Sequence, residues 1–194
     1  MPGITPSQTV GPFFHFGLTP TDYDFREAIG NNLVTPDASG ERIRVAGRVL
    51  DGDGAPIVDA MVEIWQADAA GRYAHPADRR ALPNAAFKGF GRCGTDQAGG
   101  YSFETVKPGA VPGPNGKAQA PHIVVCVFSR GMLRHVYTRI YFSDEANDAD
   151  PILALVPQDR RATLVAQRQA DGGTPVYRFD VRLQGDGETV FFDI

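Results

Sequence analysis

Residues 117–128 read KAQAPHIVVCVF. The end of a proline- and glycine-rich loop gives way to one histidine, and then to a run, Ile123 to Phe128, that is apolar at odd and even positions alike. A strand with one wet face alternates, so an unbroken apolar run reads as a strand buried on both faces, as in the core of a β-sandwich. His122 opens that strand. Val124, two residues on, projects from the same face. A metal site built on this strand would place its second histidine there, and valine carries no lone pair. The stretch has the form of a metal-binding template with part of its donor set missing.

The rest of the chain agrees with an all-β fold. Arg44 to Leu50 alternates Val45 and Val49 with Arg44 and Arg48, the DGDG of residues 51–54 is a turn, and Val62 to Trp65 follows as a strand. Tyr101 to Phe103 follows a turn over residues 96–100. Val136, Thr138, Ile140 and Phe142 alternate with His135, Tyr137, Arg139 and Tyr141. Tyr177, Phe179, Val181 and Leu183 alternate with Arg178, Asp180 and Arg182. With 22 glycines and 15 prolines falling between such runs, the spacing predicts a β-sandwich. The best helix signal is Pro157, at a helix-starting position, followed by QDRRATLVAQ.

Residues 1–42 hold few strand signals and several prolines. They are expected to form an extended N-terminal arm, packed over a sandwich domain of residues 43–194. The arm carries Phe13, Phe14, Phe16, Tyr23 and Phe25, and so many aromatics in an irregular segment point to an interface. Residues 66–92 and 107–121 exceed ordinary sandwich connections, which marks both loops as functional or docking surfaces. Arg79-Arg80 and Arg160-Arg161 read as solvated or interface charges.

At 194 residues the chain suits one substantial domain with its own core. A net charge of −4, with both signs spread along the chain, argues against nucleic acid or an anionic membrane as main partner. No apolar run is long enough to span a membrane, and residues 1–14 lack the basic start and apolar core of a secretory signal. A soluble cytoplasmic protein is expected. Cys93 and Cys126 have neither a CxxC partner nor a nearby basic dyad, so both are expected to be structural thiols.

Four stretches carry a more specific signal: VAGRVLDGDGAPIVDAMVEIWQADAAGRY (45–73), GRCGTDQAGGYSFETVKPG (91–109), APHIVVCVFSRG (120–131) and TRIYFSDE (138–145). In this order they resemble the signature of the intradiol ring-cleaving dioxygenases, the catechol and protocatechuate type, and the likeness covers most of the chain. The resemblance implies a β-sandwich of that type with long loops and short helices. It also implies a ferric site of two tyrosines and two histidines. Fe(III) is hard and charge-dense, and it makes phenolate available by stabilising the deprotonated form. In the family a catechol chelates the iron as a dianion, and dioxygen opens the ring between the hydroxyl-bearing carbons to give a muconate-type diacid.

Carried over residue by residue, the resemblance puts Tyr73, in Gly71-Arg72-Tyr73, at the first tyrosine ligand and His122 at the first histidine. Val111 stands where the second tyrosine is expected, after Lys107-Pro108-Gly109, and Val124 stands where the second histidine belongs. Gln119 replaces an arginine usual near the reacting ring, and His15, His75 and His135 carry no motif. The resemblance therefore implies no catalytic and no metal-binding residue in this chain. Tyr73, Val111, His122 and Val124 are vestigial ligand positions, with Tyr73 and His122 expected as buried groups bonded to each other or to backbone carbonyls.

Family members of this kind pair with a homologous beta subunit that binds the Fe(III). The expected assembly is a hetero-oligomer acting on a small aromatic acid and dioxygen. In them Thr9, Gly11 and Pro12 of TVGPF would line the substrate pocket, and Arg130 of Ser129-Arg130-Gly131 would meet the substrate carboxylate. Guanidinium offers that carboxylate a planar fork, and Gly-Pro offers a flat ring a rigid edge. Two other readings stay open: a self-sufficient dioxygenase using Tyr73, His122 and His75, and a sandwich module without catechol chemistry.

Overall fold

The computed structural model describes residues 9, 11–19, 29–81, 86–169 and 173–193. The expected strands form. The valines of the first alternating run fall in β1 (Arg42–Leu50), and the DGDG turn leads on to β2 (Met61–Gln66). β3 (Phe90–Gly94) and β4 (Gly100–Val106) follow, then a small hairpin of β5 (Val111–Pro112) and β6 (Ala118–Gln119). The doubly apolar run is β7 (His122–Phe128), and β8 (Val136–Phe142) lies beside it. β9 (Val165–Gln169), β10 (Val176–Arg178) and β11 (Val181–Arg182) complete the set.

Two layers result. β3, β2, β7 and β8 pair antiparallel in that order, while β1 pairs with β4, β10 and β11. β9 joins the layers: Val165 and Ala166 pair in parallel with β8, and Gln167 to Gln169 pair antiparallel with β10. Ile123, Val125 and Val127 of β7, with Val62 and Ile64 of β2, share one buried cluster with Val45, Phe103 and Tyr177 of the other layer. Each such side chain contributes roughly 1.5–3 kcal/mol by leaving water.

The period of two sends His122, Val124, Cys126 and Phe128 to the opposite, outer face of the layer. That face is covered by loops and by the helix α1 (Pro12–Leu18), not by a second sheet. A covered outer face explains why β7 is apolar at both parities. Neither Cys93 nor Cys126 is in a disulfide, and burial pushes the Cys126 thiol up to about 12, which keeps it protonated.

Three expectations are corrected. Residues after Pro157 make a 3-10 helix, Gln158–Leu164, and Val165 to Gln167 are drawn into β9 by pairing with β8 and β10. The run from Tyr177 to Leu183 is not one strand: β10 and β11 are separated at Phe179 and Asp180. There Gly47 of β1 comes so close that a Cβ on it would lie 1.7 Å from the Phe179 carbonyl oxygen.

Nor is the arm extended throughout, since α1 forms within it. Phe14 of α1 packs on Phe128 with ring centroids 5.8 Å apart, and Arg92 Nη1 donates to the Leu18 carbonyl at 3.5 Å. Further along, Leu33 is buried in the main core, and its N–H donates to the Glu104 carbonyl at 2.8 Å. Of the arm's aromatics, Phe16 is half-exposed, while Tyr23, Phe25 and the side chain of Phe13 lie outside the described residues. No helix among the described residues is long and apolar enough to cross a membrane.

Candidate functional site

The two long loops meet backbone to backbone. Gly71 has φ of 72°, and a Cβ there would lie 1.9 Å from the Ala110 carbonyl oxygen. Gly109 donates its N–H to the Asp68 carbonyl at 2.9 Å, and a Cβ on it would lie 2.5 Å from the Ala69 carbonyl oxygen. Only glycine tolerates such approaches. The glycines of Gly-Arg-Tyr and Lys-Pro-Gly thus bring Tyr73 and Val111 to one pocket.

Carboxylates brace the same loops. Asp68 accepts from the Arg72 backbone N–H at 2.9 Å and pairs with its guanidinium at 2.8 Å. Asp78 accepts from Arg80 at 2.8 Å and from the Tyr73 N–H at 2.9 Å, and these bonds hold its carboxyl well below the usual range. Arg80 also donates to the Gly71 carbonyl at 2.9 Å, so it braces its own loop. Lys107 ties the second loop to the end of β8, at 3.0 Å from Asp144 and 2.7 Å from Glu145.

Beneath the loops lies a pocket of about 780 Å³, lined among others by Trp65, Tyr73, His75, Phe90, Val111 and Pro112. Strand register sets one wall. Phe90 pairs with Trp65, Trp65 with Val124, and Val124 with Arg139, so these four side chains cross the sheet in one row on one face. Tyr73 stacks on Trp65 with centroids 5.9 Å apart and planes 11° apart, and burial pushes its phenol pKa up. A larger cleft of about 1090 Å³ lies over β1 and β4, but Arg44 and Arg48 there are paired with Glu104 and Asp180, and none of Tyr73, Val111, His122, Val124 and Arg130 lines it.

His122 is 3% exposed, and its Nδ1 donates to the Ala120 carbonyl at 2.8 Å, which leaves Nε2 as the acceptor. The ring lies 6.0 Å from that of Tyr141, whose hydroxyl donates to Asp150 at 3.1 Å. Burial, assisted by the charge of Arg139, lowers His122 to about 4, so the imidazole is neutral. The bonding partner is a backbone carbonyl. Of the four positions where the sequence reading expected ligands or their remnants, Tyr73 and His122 carry donors and Val111 and Val124 carry none. Directly across from Val124 stands Arg139, whose Nη1 donates to Gln119 Oε1 at 2.7 Å.

Arg130 lies at the opposite end of β7. Arg130 follows Phe128 and Ser129 in the turn to β8, with its side chain 70% exposed and its Nε 2.6 Å from Asp59 Oδ2. The contact of Phe14 with Phe128 sets α1 at this end. Gly11 caps the helix start by accepting the Phe14 N–H at 2.9 Å, and open space lies where its Cβ would be. Thr9 is exposed, Pro12 begins α1, and Leu133 in the same turn as Arg130 is 84% exposed. From His122 to Phe128 the strand runs roughly 20 Å, at ~3.3 Å per residue. Arg130 thus lies at the end of β7 opposite His122, while α1 runs over the same outer face and its Leu18 carbonyl meets Arg92, whose guanidinium carbon is 5.8 Å from the centroid of the pocket-lining Phe90 ring.

Sequence reasoning missed Arg139, Asp59 and the ring wall of Trp65 and Phe90. Their signal lies in strand pairing: alternation places Arg139 on a face of β8, but only the register sets it against Val124.

Residues 10–185 match the family model described as dioxygenase. The chain is 51% identical, over 98% of its length and 97% of the relative's, to the protocatechuate 3,4-dioxygenase alpha chain of Burkholderia cepacia. It is 39% identical, over 89% of its length and 75% of the relative's, to the protocatechuate 3,4-dioxygenase beta chain of the same organism. Among solved structures, an intradiol ring-cleavage dioxygenase from Tetranychus urticae matches with a TM-score of 0.64 at 19% identity, covering 97% of this chain and 100% of that one, a likeness of fold. By its sandwich, its paired loops and these matches, the chain belongs to the intradiol ring-cleaving dioxygenase family.

Proposed function

We propose that this chain is the alpha subunit of a protocatechuate 3,4-dioxygenase, completing the substrate pocket of a ferric site held by a homologous beta subunit. The complex would cleave protocatechuate between its hydroxyl-bearing carbons with dioxygen, giving 3-carboxy-cis,cis-muconate. The observation that carries this reading is the separation along β7. Arg130 stands exposed in the turn beyond β7, roughly 20 Å along the strand from His122 at ~3.3 Å per residue, and Phe14 of α1 packs on Phe128 at that end. Residues so placed serve a neighbour's pocket and not their own.

The vestigial pocket itself does not fit a ferric ion. Two of its four ligand positions are valines, and a guanidinium stands across from one of them. Fe(III) therefore belongs, in this reading, to the partner, and no chemical step is assigned to this chain. The similarity of the chain to both an alpha and a beta chain supports an assembly of two homologous subunits. What this chain supplies is recognition. Asp59 engages Arg130 on its Nε side, and the guanidinium retains terminal N–H donors for a carboxylate.

The test is Arg130→Ala in the alpha/beta complex. A charge-assisted hydrogen bond is worth roughly 1.5–3 kcal/mol, less where solvent screens it. The expected outcome is a severalfold rise in KM for protocatechuate with iron content unchanged, and an unaltered KM rules out the pocket role. A self-sufficient site of Tyr73, His75 and His122 has one observation in its favour, since His75 lines the pocket with Tyr73. Iron and colour in the lone chain would decide for it.

A further inference from the structure

We propose that the guanidinium of Arg139 has taken over the place of the metal ion, so that the vestigial pocket holds its own fixed cation and rejects a metal cation. This rests on the reading that the iron lies in the partner subunit. It goes further, because it makes metal exclusion a matter of charge as well as of missing donors.

Three connections fix the guanidinium. Arg139 is the cross-strand partner of Val124, one of the two positions without a donor, and such partners have Cβ atoms about 4.5–5.5 Å apart. Its Nη1 donates to Gln119 Oε1 at 2.7 Å, and Gln119 in turn donates through Nε2 to the Pro112 carbonyl at 3.0 Å. Gln119 is also the hairpin partner of Val111, the second position without a donor. One chain of bonds thus holds the charge between the strand of Val124 and the hairpin of Val111. The Phe192 ring, 6.0 Å from the guanidinium carbon, adds an apolar side.

The guanidinium also lies within electrostatic reach of the neighbouring rings. Arg139 acts electrostatically on Tyr73 and on His122, the two positions that still carry donors, and on Tyr141 beside His122. The nearby Asp150 carboxylate is already committed, accepting from Tyr141 and from the N–H groups of Ala120, Ile152 and Leu153. Guanidinium stays protonated at any ordinary pH, so its charge cannot be shed to admit a metal. A polyvalent cation brought to Tyr73 and His122 would meet an immovable positive charge in a partly buried setting, where screening is weak.

The experiment restores the donors and varies the charge in the alpha/beta complex. Val111→Tyr with Val124→His is combined with Arg139 unchanged, with Arg139→Gln or with Arg139→Lys, and iron per pair and visible tyrosinate absorbance are read. The expected result is about one iron per pair with Arg139 or Arg139→Lys, and close to two with Arg139→Gln. Equal iron in all three, or no second iron with Arg139→Gln, overturns the proposal. A second iron per pair in the unaltered complex would instead overturn the subunit reading beneath it. A lighter set, Val124→His with Arg139→Gln or Arg139→Lys, is read by Zn(II) uptake per pair. Uptake with Gln and not with Lys is expected, and equal uptake overturns the proposal.

Discussion

His122 is, at the scale of one residue, a buried imidazole held by the backbone. Its Nδ1–H is spent on the Ala120 carbonyl, and burial lowers its pKa from 6.5 to about 4. Between those values the unfolded chain binds more protons than the folded one, so stability rises with pH through that window. It is lost as pH falls from about 6.5 towards 4, by ~3 kcal/mol at most. The unfolding midpoint of the assembled protein should therefore drop across this range. His122→Asn, which can still donate to the carbonyl, should flatten that dependence. An unchanged slope would mean that another group titrates. At this scale the sequence reveals identity but not company. That Val124 and Val111 lack lone pairs is legible from their side chains alone. That Arg139 faces Val124 is not, because a strand's partner and register depend on the whole sheet.

Among the elements, the strands were legible wherever apolar periodicity was strong, as in β1, β7 and β8. Breaks and joins were not. The interruption between β10 and β11 comes from a long-range approach of Gly47 to Phe179, and the short 3-10 helix gives way because β8 and β10 recruit its downstream residues. The paired loops are the element on which the pocket depends. Gly71→Ala would force an alanine to φ near 72° with its Cβ 1.9 Å from the Ala110 oxygen. Backbone strain of that kind costs about 1–3 kcal/mol before the loop displacement is added. A fall in unfolding midpoint of roughly 5 °C or more is expected for a domain of this size. Gly11→Ala, with open space at its Cβ, should shift stability by no more than about 0.5 kcal/mol and serves as control. Equal effects from both would show that the loop contact is not a constraint.

At the scale of the molecule, β7 holds His122 and Arg130 apart by its whole length. His122 opens the strand, Val124 faces Arg139 across it, Tyr73 and Val111 line the pocket under the loops, and Arg130 stands exposed in the turn beyond Phe128. The sequence carried the fold and the missing ligands through its motifs, while the distance between the two ends required the three-dimensional course of the strand. On the proposed reading, such a chain works with a second, homologous subunit. The most direct test is iron per chain with visible absorbance, measured for this chain expressed alone and for the chain co-expressed with its beta partner. The account predicts no iron and no colour alone, and about one iron per alpha/beta pair together. Stoichiometric iron with tyrosinate colour in the lone chain would contradict it.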